Sequence, residues 1–113
     1  MDDSERRTIA RRFADAVNME LADLRSWLRT EPSHRVGWPK DRKPGEESVG
    51  HASGRRILRI LRKGRYSLTD DDYRHMRRVA GYVARHLKQR PGGDARQTRW
   101  RYSLMNWGHD PLK

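Results

Sequence analysis

The sequence predicts an all-α fold, a compact bundle of four to five short helices with one long loop. Apolar residues recur at spacings of three and four along several segments of the 113 residues, the period of a helix with one buried face. Residues that favour helix starts and stops flank those segments. No stretch alternates between apolar and polar with a period of two, so no strand is expected. We expect a single helical domain over residues 1–113.

The composition by itself favours disorder. Leu, Ile, Val and Phe make up only 18 of 113 residues, and a content below roughly 20% with high net charge is typical of disordered chains. Four Trp and four Tyr oppose this, because each large ring can bury much apolar area. Since the periods, caps and stops agree with one another, we expect a folded chain.

The first helical segment spans residues 4–30. Its apolar stripe comprises Ile9, Phe13, Val17, Leu21, Leu24 and Leu28. Asn18 favours a break, at which it would cap a second helix, because Asn is a good cap and a poor interior residue. Residues 31–50 hold three prolines and three glycines and predict a flexible loop, which only Val36, Trp38 and Val49 could anchor.

Residues 51–64 predict a helix with two opposite faces. Ser48 is placed to cap its start and Gly64 to end it. The apolar face carries Ile57, Leu58, Ile60 and Leu61. The opposite face carries Arg55, Arg56, Arg59, Arg62 and Lys63.

Two further helices complete the prediction. Thr69 is the expected cap of the helix over 69–89, with Asp72 in the position of a capping box. Its buried seam is Tyr73, Met76, Ala80, Val83 and Leu87. A second stripe, expected to pack on another helix, is His75, Val79, Tyr82 and His86. The last helix is expected to start at Asp94, with Gln97 as a reciprocal cap, and to present Trp100, Leu104 and Trp107.

Positive charge dominates the second part of the chain. The sequence has 26 Lys and Arg against 15 Asp and Glu, a net charge of +11. Residues 1–31 carry seven acids and six bases, so the excess belongs to residues 32–113. Many of these basic residues repeat at helical spacing, so they lie on one face of a helix, where they can neutralise neighbouring phosphates. The candidate nucleic-acid-binding residues are Arg55, Arg56, Arg59, Arg62, Lys63, Arg65, Arg74, Arg78, Arg85, Arg99 and Arg101. Loop residues expected to form a basic arm are Arg35, Lys40, Arg42 and Lys43.

These features favour a DNA-binding protein that is largely tolerant of sequence and contacts phosphates through its Arg-rich helix faces. One alternative is an RNA- or ribosome-associated protein, for which Trp38 and Tyr102 would stack on unpaired bases. Another is a module that binds an acidic protein. A membrane partner is not expected, because the faces opposite the basic residues are needed for the core.

Other function classes find little support in the sequence. The absence of cysteine excludes disulfide scaffolds, zinc fingers and thiol catalysis. The five histidines have no spacing that requires a shared metal ion, and no cofactor is expected. The lone His109-Asp110 pair and the SVGHASG stretch match no catalytic or nucleotide-binding motif, so we expect no enzyme. Without an apolar span or a signal-like start, a cytoplasmic protein is expected, with association with the nucleoid as an alternative.

Three long stretches carry a resemblance to a known family. They are SVGHASGRRILRIL (48–61), LTDDDYRHMRRVAGYVARHLKQRP (68–91) and TRWRYSLMNWGHDPLK (98–113). These stretches resemble a family of small bacterial and fungal proteins of unknown function, some of which are labelled DNA-binding. The similarity extends to VNMELADLRSWL (17–28) and is weakest over residues 31–47. The resemblance implies a small helical domain and adds the DNA-binding label, but it supplies no catalytic residues.

Overall fold

The computed structural model describes residues 1–113 and contains only helices and loops, which confirms the all-α prediction. There are six α-helices, one more than the upper count expected. They are α1 (Asp3–Ala16), α2 (Leu21–Leu28), α3 (Glu31–Arg35), α4 (Val49–Arg62), α5 (Asp70–Leu87) and α6 (Arg99–Asn106). A single 3-10 turn, Arg65–Ser67, connects α4 to α5. None of the helices combines the length and the apolar character needed to span a bilayer.

The predicted break in the first segment is confirmed, but Asn18 does not cap α2. The N-cap of α2 is Glu20, whose side chain makes no capping hydrogen bond. Asn18 instead bonds the backbone of Asp110 in both directions: its Nδ2 donates to the carbonyl oxygen at 2.9 Å, and its Oδ1 accepts from the N–H at 2.7 Å. The short polar side chain therefore ties the end of the chain to the turn between α1 and α2.

The segment 31–50 is more ordered in its backbone than a plain loop. Its first five residues form α3, which Thr30 caps by accepting from the N–H of Ser33. Val36 anchors the segment as expected, with 2% of its surface exposed, whereas Trp38 is 71% exposed and anchors nothing. The connection between α3 and α4 is thus shorter than predicted, and its flexibility stays a prediction.

Capping residues explain where the later helices begin. Ser48 Oγ accepts from the N–H of His51 at 3.0 Å, as predicted for α4. Thr69 and Asp72 form the predicted capping box of α5. The expected start of the last helix at Asp94 is wrong, because Thr98 is the N-cap and α6 begins at Arg99. Gly64 also lies beyond the helix end and keeps a φ of −68°, so no left-handed glycine terminates α4.

The core is one cluster of buried side chains to which every helix from α1 to α6 except α3 contributes. Helix α1 packs along α5, and α4 packs against both α2 and α6. Gly54 makes the close packing of α4 against α2 and α6 possible. A Cβ at this position would lie 2.5 Å from the carbonyl oxygen of Asn106 and 2.6 Å from Leu28 Cδ2. A larger residue would push α4 away from both neighbours.

A buried amide links α2, α3 and α6. Asn106 is 1% exposed, and its Oδ1 accepts from Trp27 Nε1 at 2.8 Å and from Ser33 Oγ at 2.5 Å. Its Nδ2 donates to the carbonyl oxygen of Ser33 at 2.9 Å. Because buried polar groups without partners are costly, this network specifies how the three helices meet.

We expect Asn106→Ala to lower the free energy of unfolding by about 2–4 kcal/mol, because the indole N–H of Trp27 and the Ser33 groups lose their partners. Urea denaturation followed by circular dichroism measures the change. The exposed Gln97→Ala variant is the control and should stay within about 0.5 kcal/mol of the parent chain. Equal stability of the two variants would contradict the role assigned to this network.

Candidate nucleic-acid interface

The end of α4 and the start of α5 are joined by the side chain of Asp72, of which 7% is exposed. Its Oδ2 accepts from Lys63 Nζ at 2.6 Å and from the N–H of Thr69 at 3.0 Å, and Arg56 lies 3.6 Å from its Oδ1. Burial alone would raise the pKa of Asp72. Hydrogen bonds from Lys63 and Thr69 outweigh it and hold that pKa at about 2. The carboxylate stays charged at neutral pH and holds the two basic helices side by side.

Five of the eleven candidate residues are engaged with carboxylates of the chain itself. The pairs are Arg55 with Glu47, Arg56 and Lys63 with Asp72, Arg74 with Asp71, and Arg101 with Asp110. The pKa of Glu47 shows the effect of such a pairing. The hydrogen bond from Arg55, aided by one from His51, lowers the pKa of Glu47 to about 2.

Arg101 is the most enclosed of these arginines. Its Nε and one terminal nitrogen each lie 3.1 Å from a different oxygen of Asp110, and its other terminal nitrogen donates to the carbonyl oxygen of Arg96 at 2.9 Å. Only 23% of its side chain is exposed. This guanidinium fastens the chain end to α6, so it has little capacity left for a ligand.

The other six candidates have no carboxylate within ion-pair distance, and all are exposed. They are Arg59, Arg62, Arg65, Arg78, Arg85 and Arg99. Their charges are not neutralised by the protein, which makes this subset, rather than all eleven, the part of the candidate set best able to attract an anion.

The basic faces of α4 and α5 converge around His75. The ring of His75 is half-buried, and its Nε2 is hydrogen-bonded to Ser53 Oγ at 3.0 Å. Burial lowers the pKa of His75 to about 4, and repulsion from Arg56, Arg78 and Arg59 adds to this. Arginines of both helices therefore lie near this histidine. We call Arg56, Arg59, Arg78 and His75 the α4–α5 basic surface.

Two free arginines outside this surface, Arg85 and Arg65, lie in different places. Arg85 and Arg78 line a small cavity beside the loop that carries Trp38. Arg65 lines a different groove, between α1 and the α4–α5 connection, together with the 97% exposed Tyr66. The structure therefore gathers Arg78 and Arg85 with the α4–α5 basic surface, while Arg65 faces a second groove.

The predicted basic arm is partly engaged within the protein. Arg42 donates to four backbone carbonyl groups, those of His34, Arg35, Gly37 and Pro39. Arg35 forms an ion pair with Glu31 at 3.4 Å. Lys40 and Lys43 make no ion pair and share a polar groove with the other two. Arg42 thus organises the loop backbone, which leaves the two lysines as the free charges of the arm.

Aromatic residues divide into core and surface. Trp100 and Trp107 are buried, as the shared helical face predicted. Tyr102 packs on Trp27 with 5.3 Å between ring centroids. Trp38 and Tyr66 are the exposed large rings. Sequence reasoning missed Tyr66, although it follows Arg65 and has no apolar partner at helical spacing.

The histidines do not form a common cluster, although two of them are in contact. His34 contacts His51 with 4.2 Å between centroids, and His86 stacks on Tyr82 at 4.8 Å. His109 Nδ1 lies 2.7 Å from the carbonyl oxygen of Ala16. No three His, Asp or Glu side chains are grouped in a way that could hold a metal ion.

Comparison with known proteins identifies a family to which the chain is similar. A family model described as "Protein of unknown function (DUF3140)" matches residues 12–105, more than four fifths of the chain. No curated protein and no solved structure matches this chain.

We expect the free energy of unfolding to fall as the pH is lowered from about 6.5 towards 4. In this range the unfolded chain protonates His75 while the folded chain, with a pKa of about 4, does not. The unfolded state then binds more protons, which favours unfolding. His75→Gln should flatten the dependence between pH 6.5 and 5 in urea denaturation. A slope as steep as that of the parent chain would contradict the assignment.

Proposed function

We propose that this chain, which belongs to the DUF3140 family of proteins of unknown function, binds DNA through phosphate contacts and largely without regard to sequence. The observation that carries the proposal is the convergence of arginines from α4 and α5 around His75, where Arg59 and Arg78 have no carboxylate partner. Such a surface attracts a polyanion and gains free energy by releasing its counterions.

The spacing of the free arginines suits a nucleic-acid backbone. Arg59 and Arg62 lie one helical turn apart on α4, and Arg78 and Arg85 lie seven residues, about 10 Å, apart along α5. Phosphates of one DNA strand recur about every 3.4 Å along the duplex axis. Arg78 and Arg85 can therefore contact phosphates about three nucleotides apart on one strand.

The composition of the two helices supports tolerance of sequence. Neither α4 nor α5 contains Asn or Gln, the residues that read adenine edges in the major groove. Arginine itself contacts phosphates as well as guanine, and phosphate contacts carry no sequence information. DNA binding of this kind fits a nucleoid-associated protein of the cytoplasm.

A second candidate function is binding of single-stranded nucleic acid, RNA included. Its support is the exposure of two large rings beside basic residues: Trp38 near Arg78 and Arg85, and Tyr66 next to Arg65. Exposed aromatic rings stack on unpaired bases, which a duplex does not present.

We expect the logarithm of the association constant for a 20-base-pair duplex to fall with the logarithm of salt concentration with a slope near −5. About six phosphates neutralised by basic side chains without carboxylate partners give this value. Fluorescence anisotropy across a salt titration measures it, with single-stranded DNA and RNA of equal length in parallel. A slope near zero would contradict both candidate functions. Tighter binding of single strands at every salt concentration would favour binding of single-stranded nucleic acid.

We expect Arg59→Glu combined with Arg62→Glu to weaken duplex binding at least tenfold at about 0.1 M salt, because two attractive charges become repulsive. Arg25→Glu on α2 with Arg29→Glu at its C-cap is the matched control, since these arginines are also exposed and unpaired and the net charge changes equally. An equal loss in the control would show that net charge, and not this surface, drives binding. Circular dichroism verifies that both variants fold.

A further inference from the structure

A cavity of about 200 Å³ lies where the loop after α3 meets the start of α4, the middle of α5 and the end of α6. Its lining includes Trp38 from the loop, Gly50 from α4, Arg78 and Arg85 from α5, and Ser103 and Trp107 from α6. The cavity thus brings four separate parts of the chain to one point, and no carboxylate lines it.

The most telling group in the cavity is the indole N–H of Trp107. This residue is only 4% exposed. The buried Trp100 donates its Nε1 hydrogen to a carbonyl oxygen, and Trp27 donates to an amide oxygen, but Trp107 donates to no protein atom. Its Nε1 lies 3.0 Å from the place a Cβ of Gly50 would occupy. Arg6 Nε is the only fully enclosed side-chain polar atom without a partner. The Trp107 N–H therefore faces the open cavity.

Two other side chains of the cavity, Arg78 and Arg85, are also unpaired donors, whereas the hydroxyl group of Tyr82 lies 3.4 Å from His86 Nε2. Arg78 and Arg85 form no ion pair, and the guanidinium of Arg78 lies 5.5 Å from the centroid of the Trp107 ring. Gly50 is the second residue of α4, a helix of 14 residues. The N–H groups of its neighbours are engaged, that of Val49 by the carbonyl oxygen of Trp38 and that of His51 by Ser48 Oγ, while that of Gly50 has no partner. Free N–H groups at a helix start favour anions.

We propose that this cavity binds the phosphate group of a nucleotide, with the base stacked on the exposed ring of Trp38. Two guanidinium groups, an indole N–H and a backbone N–H all donate, and a phosphate offers only acceptors to them at neutral pH. Pockets that hold a whole small molecule measure about 300–1,000 Å³. The smaller volume of this cavity therefore suits a phosphate group, and not a whole nucleotide. The phosphate occupies the cavity and the base lies at its mouth.

This site goes beyond the proposed DNA surface and can be tested separately from it. The phosphate can come from a free nucleotide or from the end of a nucleic-acid strand, and both present the same chemistry. Arg59 and Arg62, which carry the test of duplex binding, do not line the cavity. Because Arg78 and Arg85 belong to both sites, the probes separate the two proposals: absence of duplex binding contradicts the DNA surface, and absence of nucleotide binding contradicts the cavity.

Isothermal titration with adenosine 5′-monophosphate, adenosine and inorganic phosphate tests the proposal on the full chain. We expect the monophosphate to bind at least tenfold more tightly than adenosine, and inorganic phosphate to compete with it. Equal affinity for adenosine and its monophosphate, or no binding of either at millimolar concentration, overturns the proposal. A 5′-phosphorylated trinucleotide that binds more tightly than the unphosphorylated one identifies a strand end as a source, and equal binding of the two identifies the free nucleotide.

Variants identify the cavity as the place of binding. Arg85→Ala should weaken binding of the monophosphate at least tenfold, because one charged donor is lost. Gly50→Ala should have a similar effect, since its Cβ would crowd Trp107 Nε1. Arg29→Ala, which removes an equal charge far from the cavity lining, should leave affinity within twofold. An equal loss in Arg29→Ala, or unchanged affinity in a folded Arg85→Ala protein, overturns the assignment.

Discussion

The carboxylate of Asp72 joins the two helices on which the basic surface depends. It accepts from Lys63 at the end of α4 and from the backbone of Thr69 at the start of α5, and it lies near Arg56. Removing a partner from a buried charge of this kind costs several kcal/mol, so the pairing stabilises the junction between the two helices. Arg56 and Arg59 from α4 and Arg78 from α5 all act on His75 and lower its pKa.

The acidic residues determine which of the candidate positive charges remain free, because they pair with the others. Glu47, Asp71, Asp72 and Asp110 engage arginines and a lysine at the edges of the basic region. Among the six candidates that remain free, Arg59 and Arg62 lie on α4, and Arg78 and Arg85 lie on α5. A polyanion that approaches these four arginines meets no carboxylate already paired with them, which favours binding there. The five engaged side chains contribute to stability and geometry instead.

Local patterns predicted most of the helices, because caps and apolar spacing act over a few residues. Thr69 with Asp72, and Ser48 with His51, form the expected caps. The errors arose where two residues compete for one role. Thr98 caps α6 in place of Asp94, and Asn18 bonds Asp110 instead of capping α2. The candidate site was less predictable, since pairs such as Arg55–Glu47 and Arg101–Asp110 depend on side-chain reach across turns. The cavity beside Trp107 required four distant segments and could not be predicted from spacing.

Nuclear magnetic resonance provides the most direct measurement of the central claim, that free arginines of α4 and α5 form one surface for nucleic acid. Arginine side-chain Nε–Hε signals and backbone amides would be followed while a 16-base-pair duplex is added at low salt. The structure predicts that the signals of Arg59, Arg78 and Arg85 and the amides around His75 shift together, while the engaged Arg101 does not. Shifts confined to α1 and α2, or no shifts at all, would contradict the claim.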